Sequence, residues 1–406
     1  MITNGNIIDQ DVPRWLDKDH LIRILKSLTI EDSDNFQILK FSLLNGNNDF
    51  KSTFFCEAWY CLGNETTVAE MIFKIEPEDD KEKPQFESEY KIYNEVIPRF
   101  EEILKNSGDY SEFGSKVLYS SEEKGRRIFV LENHINKDFF GAGLRYCSNE
   151  EAFISIEKIA KWHACSMKVY NEDPNFLETY VKGTLKNTDY KWREIVPNGL
   201  QMFLDFLDTQ EDLVSFKPYF IKFKEVLNDK IKKLFSDNGR ITVLNHGYFH
   251  AHNVLFKYAD QMKTEPEDVV FVDFQLSLWA SPVVDLAFIF NTFFNIEYRT
   301  NFENRNSVIK FYFDSLESSL KTIGYKGKMP TLKDLHKEFV DHSFFEVFFT
   351  AVSMPISMLF EEEARQGQEF MYVKNFTENY QNPLYIKTVK KMLPLYFNRG
   401  WLDFDD

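Results

Sequence analysis

Residues 245–294 concentrate side chains that could do chemistry. The stretch opens as Asn245-His246-Gly247-Tyr248-Phe249-His250-Ala251-His252-Asn253 and continues into a short apolar segment and a polar loop. The run Val269-Val270-Phe271-Val272 then delivers Asp273-Phe274-Gln275, and Ser281-Pro282 leads into a segment carrying Asp285. If the segments after Asn253 and before Asp273 pair as a hairpin, a carboxamide and a carboxylate meet. Both offer oxygen, which suits one hard cation such as Mg²⁺, with phosphates and waters completing the octahedron. His250-x-His252 on a strand has a spacing that zinc can use, and with His246 it allows a His-based metal hydrolase. The sequence offers no separate His/Asp cluster to complete that site.

Other elements must position these residues. Residues 12–28 read as an amphipathic helix through Trp15, Leu21, Ile24, Leu25 and Leu28. Residues 36–44, 52–62 and 67–75 read as strands, and 117–120 with 126–131 as a further hairpin. In the third strand Met71, Phe73 and Ile75 share one face and Lys74 points to the other. A helix from about residue 85 aligns Phe86, Tyr90, Tyr93, Ile97, Phe100 and Leu104, with Glu89 at the stripe's edge and a kink expected at Pro98. Ser148 and Glu151 form a capping box for a helix whose apolar stripe includes His163, the pattern of a satisfied core histidine. Residues 172–240, 306–323, 332–359 and 384–397 read as helical, and 360–363 as a charged, solvated end.

This order of motifs resembles the ecdysteroid-kinase-like family, relatives of choline and aminoglycoside kinases. The resemblance rests on His246, Gly247, Asn253, Asp273, Phe274, Gln275, Ser281, Pro282 and Asp285, and covers about residues 36–294. It implies an α+β, two-lobe protein-kinase-like fold. A small antiparallel-sheet lobe (residues 1–131) would bind nucleotide, and a larger, mainly helical lobe (132–406) would hold the catalytic loop and acceptor pocket. By resemblance Lys74 and Glu89 hold the α/β-phosphates, Ser52 closes the phosphate hairpin, and Glu132 marks the hinge that meets adenine. Asn253 and Asp273 hold Mg²⁺, while Asp285 and His163 give structural support. The implied reaction is ATP-dependent phosphoryl transfer to a small molecule with a hydroxyl group, steroid-like by resemblance.

Three positions depart from the pattern. Where the family carries its catalytic Asp after His246-Gly247, this chain has Tyr248, a phenol that is neutral at pH 7. Aligned on Ser52, the phosphate hairpin carries Asn47 for a glycine and Asp49 for an asparagine. The expectation is therefore a kinase-like protein impaired at its catalytic loop. The alternative is a pseudokinase that binds nucleotide or acceptor without transfer.

Composition narrows the rest. The 406 residues carry a formal charge of −16, which argues against a general nucleic-acid binder. Four cysteines without a Cys-x-x-Cys pair read as thiols in a reducing compartment. The first residues show no basic region followed by an apolar core, and the most apolar run, 283–290, is interrupted by Asp285. A cytoplasmic protein without membrane attachment is expected.

Overall fold

The computed structural model describes residues 7–9, 12–28, 36–46, 52–63, 65–143, 145–182, 192–235, 239–355 and 380–404. Asn47, Asp49 and the charged run 360–363 lie outside the described residues. The chain divides into two compact units, Met1–Pro98 with Gly114–Phe140, and Arg99–Phe113 with Gly141–Asp406.

The first unit is built on a six-stranded sheet of β1 (Ile7–Ile8), β2 (Phe36–Asn45), β3 (Thr53–Leu62), β4 (Glu65–Ile75), β5 (Val117–Glu123) and β6 (Arg126–Glu132). Their order is β1-β2-β3-β4-β6-β5, antiparallel apart from the short parallel pair β1–β2. Period-two alternation decides what each face touches. Phe54, Cys56 and Ala58 of β3 and Met71, Phe73 and Ile75 of β4 face a core closed by Leu21, Ile24 and Leu25 of helix α1 (Lys18–Leu28). This helix starts later than the apolar pattern alone suggests. The Asp17 carboxylate accepts the His20 N–H at 3.0 Å and caps the first turn there.

On the opposite face lies the helix expected from residue 85. It comprises α2 (Lys83–Lys91), a π-helical turn at Ile92–Val96 and α3 (Ile97–Asn106). Pro98 has no N–H to return and its ring crowds the preceding turn, so the backbone widens just before it. The Ile97 N–H reaches back to Ile92 O. Phe86, Tyr90 and Tyr93 converge on Phe129 of β6, with ring centroids 5.5, 5.6 and 5.9 Å away.

Beyond β7 (Phe139–Gly141), the second unit is organised by α4 (Asn149–Glu172). Both halves of the Ser148/Glu151 capping box form. Fully buried Trp162 packs on Phe100, Phe113 and Phe274 at 4.7, 5.3 and 5.3 Å, and its indole N–H donates to Leu244 O at 2.7 Å. The Ser166 hydroxyl accepts the Leu244 N–H at 3.0 Å. Side chains of α4 thereby satisfy both backbone groups of Leu244 in the short strand β8 (Val243–Asn245). On its other edge β8 pairs with β11 (Leu278–Ala280), and β9 (Val254–Tyr258) pairs antiparallel with β10 (Pro266–Phe271).

The long helix expected over 332–359, of which 356–359 lie outside the described residues, is broken within 332–355. It ends as Leu332–Asp341, turns at His342 and Ser343, and resumes as Phe344–Phe348 and a π turn at Phe349–Ser353. The break presents Glu346 to Arg305 of the Phe302–Thr322 helix, a buried pair at 2 % and 5 % exposure. The Arg305 guanidinium also lies 4.1 Å from the Phe290 ring, on the Val283–Thr292 helix that carries Asp285. No helix among the described residues is long and apolar enough to cross a membrane.

Glu346→Ala would leave the Arg305 charge buried without its carboxylate, which costs about 3–5 kcal/mol. Urea unfolding followed by tryptophan fluorescence should show a midpoint lowered to match. A loss under about 1 kcal/mol would contradict the pinning role given to this pair.

Candidate functional site

The expected residues fall into two groups, one in each unit. In the first unit, Lys74 Nζ lies 3.1 Å from Glu89 Oε2, joining the β4 strand to α2. Glu89 is 4 % exposed, and its Oε1 has no hydrogen-bond partner among the described residues. The pair thus keeps a buried acceptor in reserve beside an ammonium. Ser52 borders them, since its carbonyl accepts the Ile75 N–H at 2.8 Å. Glu132 is drawn elsewhere. Its Oε1 accepts from Lys116 N at 3.0 Å and Lys137 Nζ at 2.9 Å.

Strand register adds residues that the sequence reading missed. Leu44 faces Phe55, Phe55 faces Ile72 and Ile72 faces Leu131, a cross-strand row on the same sheet face as Lys74. Leu44 and Phe55 remain 46 % and 45 % exposed. The available signal was their alternation with core-facing Leu43, Phe54 and Cys56, which puts them on the face opposite the core.

In the second unit the centre is Asp285, buried with 0 % exposure. Its Oδ2 accepts the His246 N–H at 2.7 Å and a His163 Nε2 contact at 3.1 Å, while Oδ1 accepts the Gly247 N–H at 2.9 Å. The Asp285 N–H in turn donates to Asn245 Oδ1 at 3.3 Å, and Asn245 Nδ2 donates to Ala280 O at 3.2 Å. Asn245 is a second missed residue. A polar side chain ending an apolar strand was its trace.

Gly247 allows the loop to turn. Its φ is +83°, and a Cβ there would stand 1.9 Å from Leu276 O, so no other residue fits. The His246 ring lies over Phe274 at 4.6 Å. His246 Nδ1 accepts the Tyr248 N–H at 3.4 Å, and Nε2 donates to Val272 O at 3.0 Å. These partners make His246 a neutral, Nε2-protonated imidazole. Burial pushes its pKa down to about 4 against the opposing pull of Asp285.

The hairpin β9–β10 brings Asn253 and Asp273 to one end. Phe271 pairs with Val254, and the next rung is the Val272 N–H donating to Asn253 O at 3.0 Å. Asn253 Nδ2 donates to Tyr248 O at 2.9 Å, which leaves its Oδ1 as the acceptor. Asp273 adopts the left-handed conformation, φ 68° and ψ 61°, a strain of about 1–3 kcal/mol that aspartate tolerates better than most residues. An amide oxygen and a carboxylate are the donor types that a magnesium ion takes when phosphate and water supply its other ligands.

Tyr248 sits over this end, packed on Phe288 at 5.7 Å and beside the His252 ring at 5.7 Å. Burial, then the Asp273 carboxylate, pushes its phenol up to about 12, although part of its surface meets solvent. His250 and His252 stack at 3.8 Å, and His250 Nδ1 is occupied by the His252 backbone N–H at 3.3 Å. Among the described residues no three His, Cys, Asp or Glu side chains are grouped to hold a metal.

Residues 63–325, more than half of the chain, match the model of the ecdysteroid kinase-like family. The chain belongs to that family. No curated protein matches it. Among solved structures, the GDP complex of wild-type aminoglycoside 2′-phosphotransferase-IIIa is similar at 12 % identity and TM-score 0.42, covering 93 % of this chain and 99 % of that one. Aminoglycoside-3′-phosphotransferase of type VIII is similar at 12 % identity and TM-score 0.31, covering 81 % and 99 %. The α+β architecture and the family together make this a small-molecule kinase-like protein.

The state of His246 in this ecdysteroid kinase-like protein has a measurable consequence. The unfolded chain takes up its proton near the ordinary value of 6.5, the folded chain only near 4. The contribution is fully present above the unfolded value and is lost as pH falls through it, by roughly 3 kcal/mol at most. Urea midpoints should fall between pH 7.5 and pH 5, and the fall should be shallower in His246→Gln. Equal slopes for the two proteins would show that His246 does not carry the effect.

Proposed function

We propose that this protein binds MgATP and transfers its γ-phosphoryl group slowly to the hydroxyl of a small molecule. The observation that carries the reading is the Asp285-clamped loop, which presents position 248 beside the Asn253/Asp273 end of the hairpin. Lys74 would meet the phosphates, with Glu89 holding its ammonium in place. The apolar row Leu44, Phe55 and Ile72 suits the flat face of a base, and the backbone around Glu132 its edge. Asn253 and Asp273 would hold Mg²⁺, which when bound neutralises phosphate charge.

Phosphoryl transfer also needs a group that orients the acceptor hydroxyl, and position 248 has that place. A carboxylate only accepts there. The Tyr248 phenol keeps its proton at pH 7, is larger, and can donate as well. Loss of a positioned acid–base group typically costs about 10²–10⁴-fold, leaving positioning and metal effects in place. The second reading, a pseudokinase, is favoured by the same neutral phenol if the ring fills the acceptor's space. The family name supports a steroid-like alcohol as acceptor. Two cysteines, Cys56 and Cys165, are buried free thiols, which suits a reducing, cytoplasmic setting.

Calorimetric titration with ATP should show tighter binding with Mg²⁺ present, and Asp273→Ala should remove that difference. Glu89→Ala should weaken nucleotide binding. Restoring the carboxylate with Tyr248→Asp should raise turnover by about 10²-fold or more with little change in nucleotide affinity. Indifference to Mg²⁺ in the unmutated protein would refute the metal assignment. Turnover of about 1 s⁻¹ or faster in that protein, within the usual kinase range, would refute impairment.

A further inference from the structure

Asp285 alone does not complete the clamp on the catalytic loop. His163 on α4 contacts its Oδ2 through Nε2 at 3.1 Å, and His163 Nδ1 lies 2.8 Å from the Tyr312 hydroxyl. Tyr312 sits on the Phe302–Thr322 helix, with its ring 5.7 Å from the imidazole and nearly perpendicular to it. His163, Asp285 and Tyr312 are all 0 % exposed, so water cannot replace any of these contacts.

The hydrogens follow from the partners. An ionised carboxylate only accepts, so the ring nitrogen facing Asp285 must carry a proton. A neutral imidazole then has a bare Nδ1, which needs a donor. The facing group is a phenol, which can donate there. Burial, reinforced by the Asp285 carboxylate, raises the Tyr312 pKa well above its ordinary value, so the phenol keeps its proton.

We infer that Tyr312 is a positioning residue for the catalytic loop: its hydroxyl donates to His163 Nδ1 and holds the imidazole in the Nε2–H form that binds Asp285. The effect on catalysis rests on the kinase reading above; the proton arrangement does not. With the opposite tautomer, a ring lone pair would face the carboxylate, and Asp285 could no longer be shared between His163 and the His246 and Gly247 amides. Nothing near Tyr312 in sequence marks it. It lies 149 residues from His163 and is an ordinary buried aromatic by pattern.

Nitrogen-15 spectra of the histidine side chains in the full, unmutated chain decide the first point, with His163 assigned through His163→Gln. The expected result is a proton on Nε2 and a bare Nδ1. A proton on Nδ1, or on both nitrogens, would overturn the inference. Tyr312→Phe removes one oxygen and tests the consequence. Amide exchange of His246 and Gly247 should rise about tenfold or more, while the amides of α4 and of the Phe302–Thr322 helix change little. A uniform rise would mean a merely structural role and would overturn the positioning one. If Tyr312→Phe does not fold, the spectra of the unmutated protein still decide. In a transfer assay Tyr312→Phe should lower kcat with KM for nucleotide unchanged, and an unaltered kcat would count against Tyr312. Absence of any transfer by the unmutated protein would count against the kinase reading alone.

Discussion

The second unit's site depends on one buried carboxylate. Taking Asp285 out of water costs several kcal/mol unless its oxygens are satisfied, and here two backbone amides and an imidazole satisfy them. Hydrogen bonds to a charged acceptor are worth about 1.5–3 kcal/mol each, so the loop that supplies two of them is held firmly. The carboxylate needs the loop amides as much as the loop needs the carboxylate. That mutual dependence fixes the backbone at His246 and Gly247, and from there the direction in which position 248 faces.

Around this centre the fold removes slack from every side. Trp162 and Ser166 bind both backbone groups of Leu244 just upstream of the loop. Asn245 ties the end of β8 to β11 and to the first turn of the helix carrying Asp285. Arg305 holds the other end of that helix through Phe290 and Glu346. Asp273, one of four non-glycine residues with positive φ among the described residues, takes up strain where the chain leaves its strand. Rigid surroundings make such a conformation tolerable.

The first unit handles charge differently. Lys74 and Glu89 form a nearly buried pair, in which Glu89 Oε1 has no hydrogen-bond partner among the described residues, next to a row of part-exposed apolar side chains. An exposed Phe55 and Leu44 on a sheet face beside a lysine are costly to leave in water and suited to covering a flat ring. The tyrosine at position 248 stands out against this arrangement. The elements that would present a catalytic carboxylate are built and satisfied, and the side chain they present is a phenol.

Much of this was legible before any coordinates. Strand-favouring aromatic residues around Phe54 and the alternation of Met71, Phe73 and Ile75 indicated the strands, and Ser148 with Glu151 the start of α4, because each depends on neighbours within a few residues. The order His246-Gly247, Asn253, Asp273, Asp285 pointed to the family, since a motif is a matter of residue type and spacing. Other features were beyond that reach. The Glu346–Arg305 pair joins residues of two different helices. The tautomer of His163 is set by Tyr312, and the row Leu44–Phe55–Ile72 by strand register, which a one-residue slip would turn to the other face. Sequence determined which local structures form and which chemistry is on offer. Tertiary structure decided which buried polar atoms meet, because a hydrogen bond between residues far apart in the chain depends on packing that no local pattern specifies.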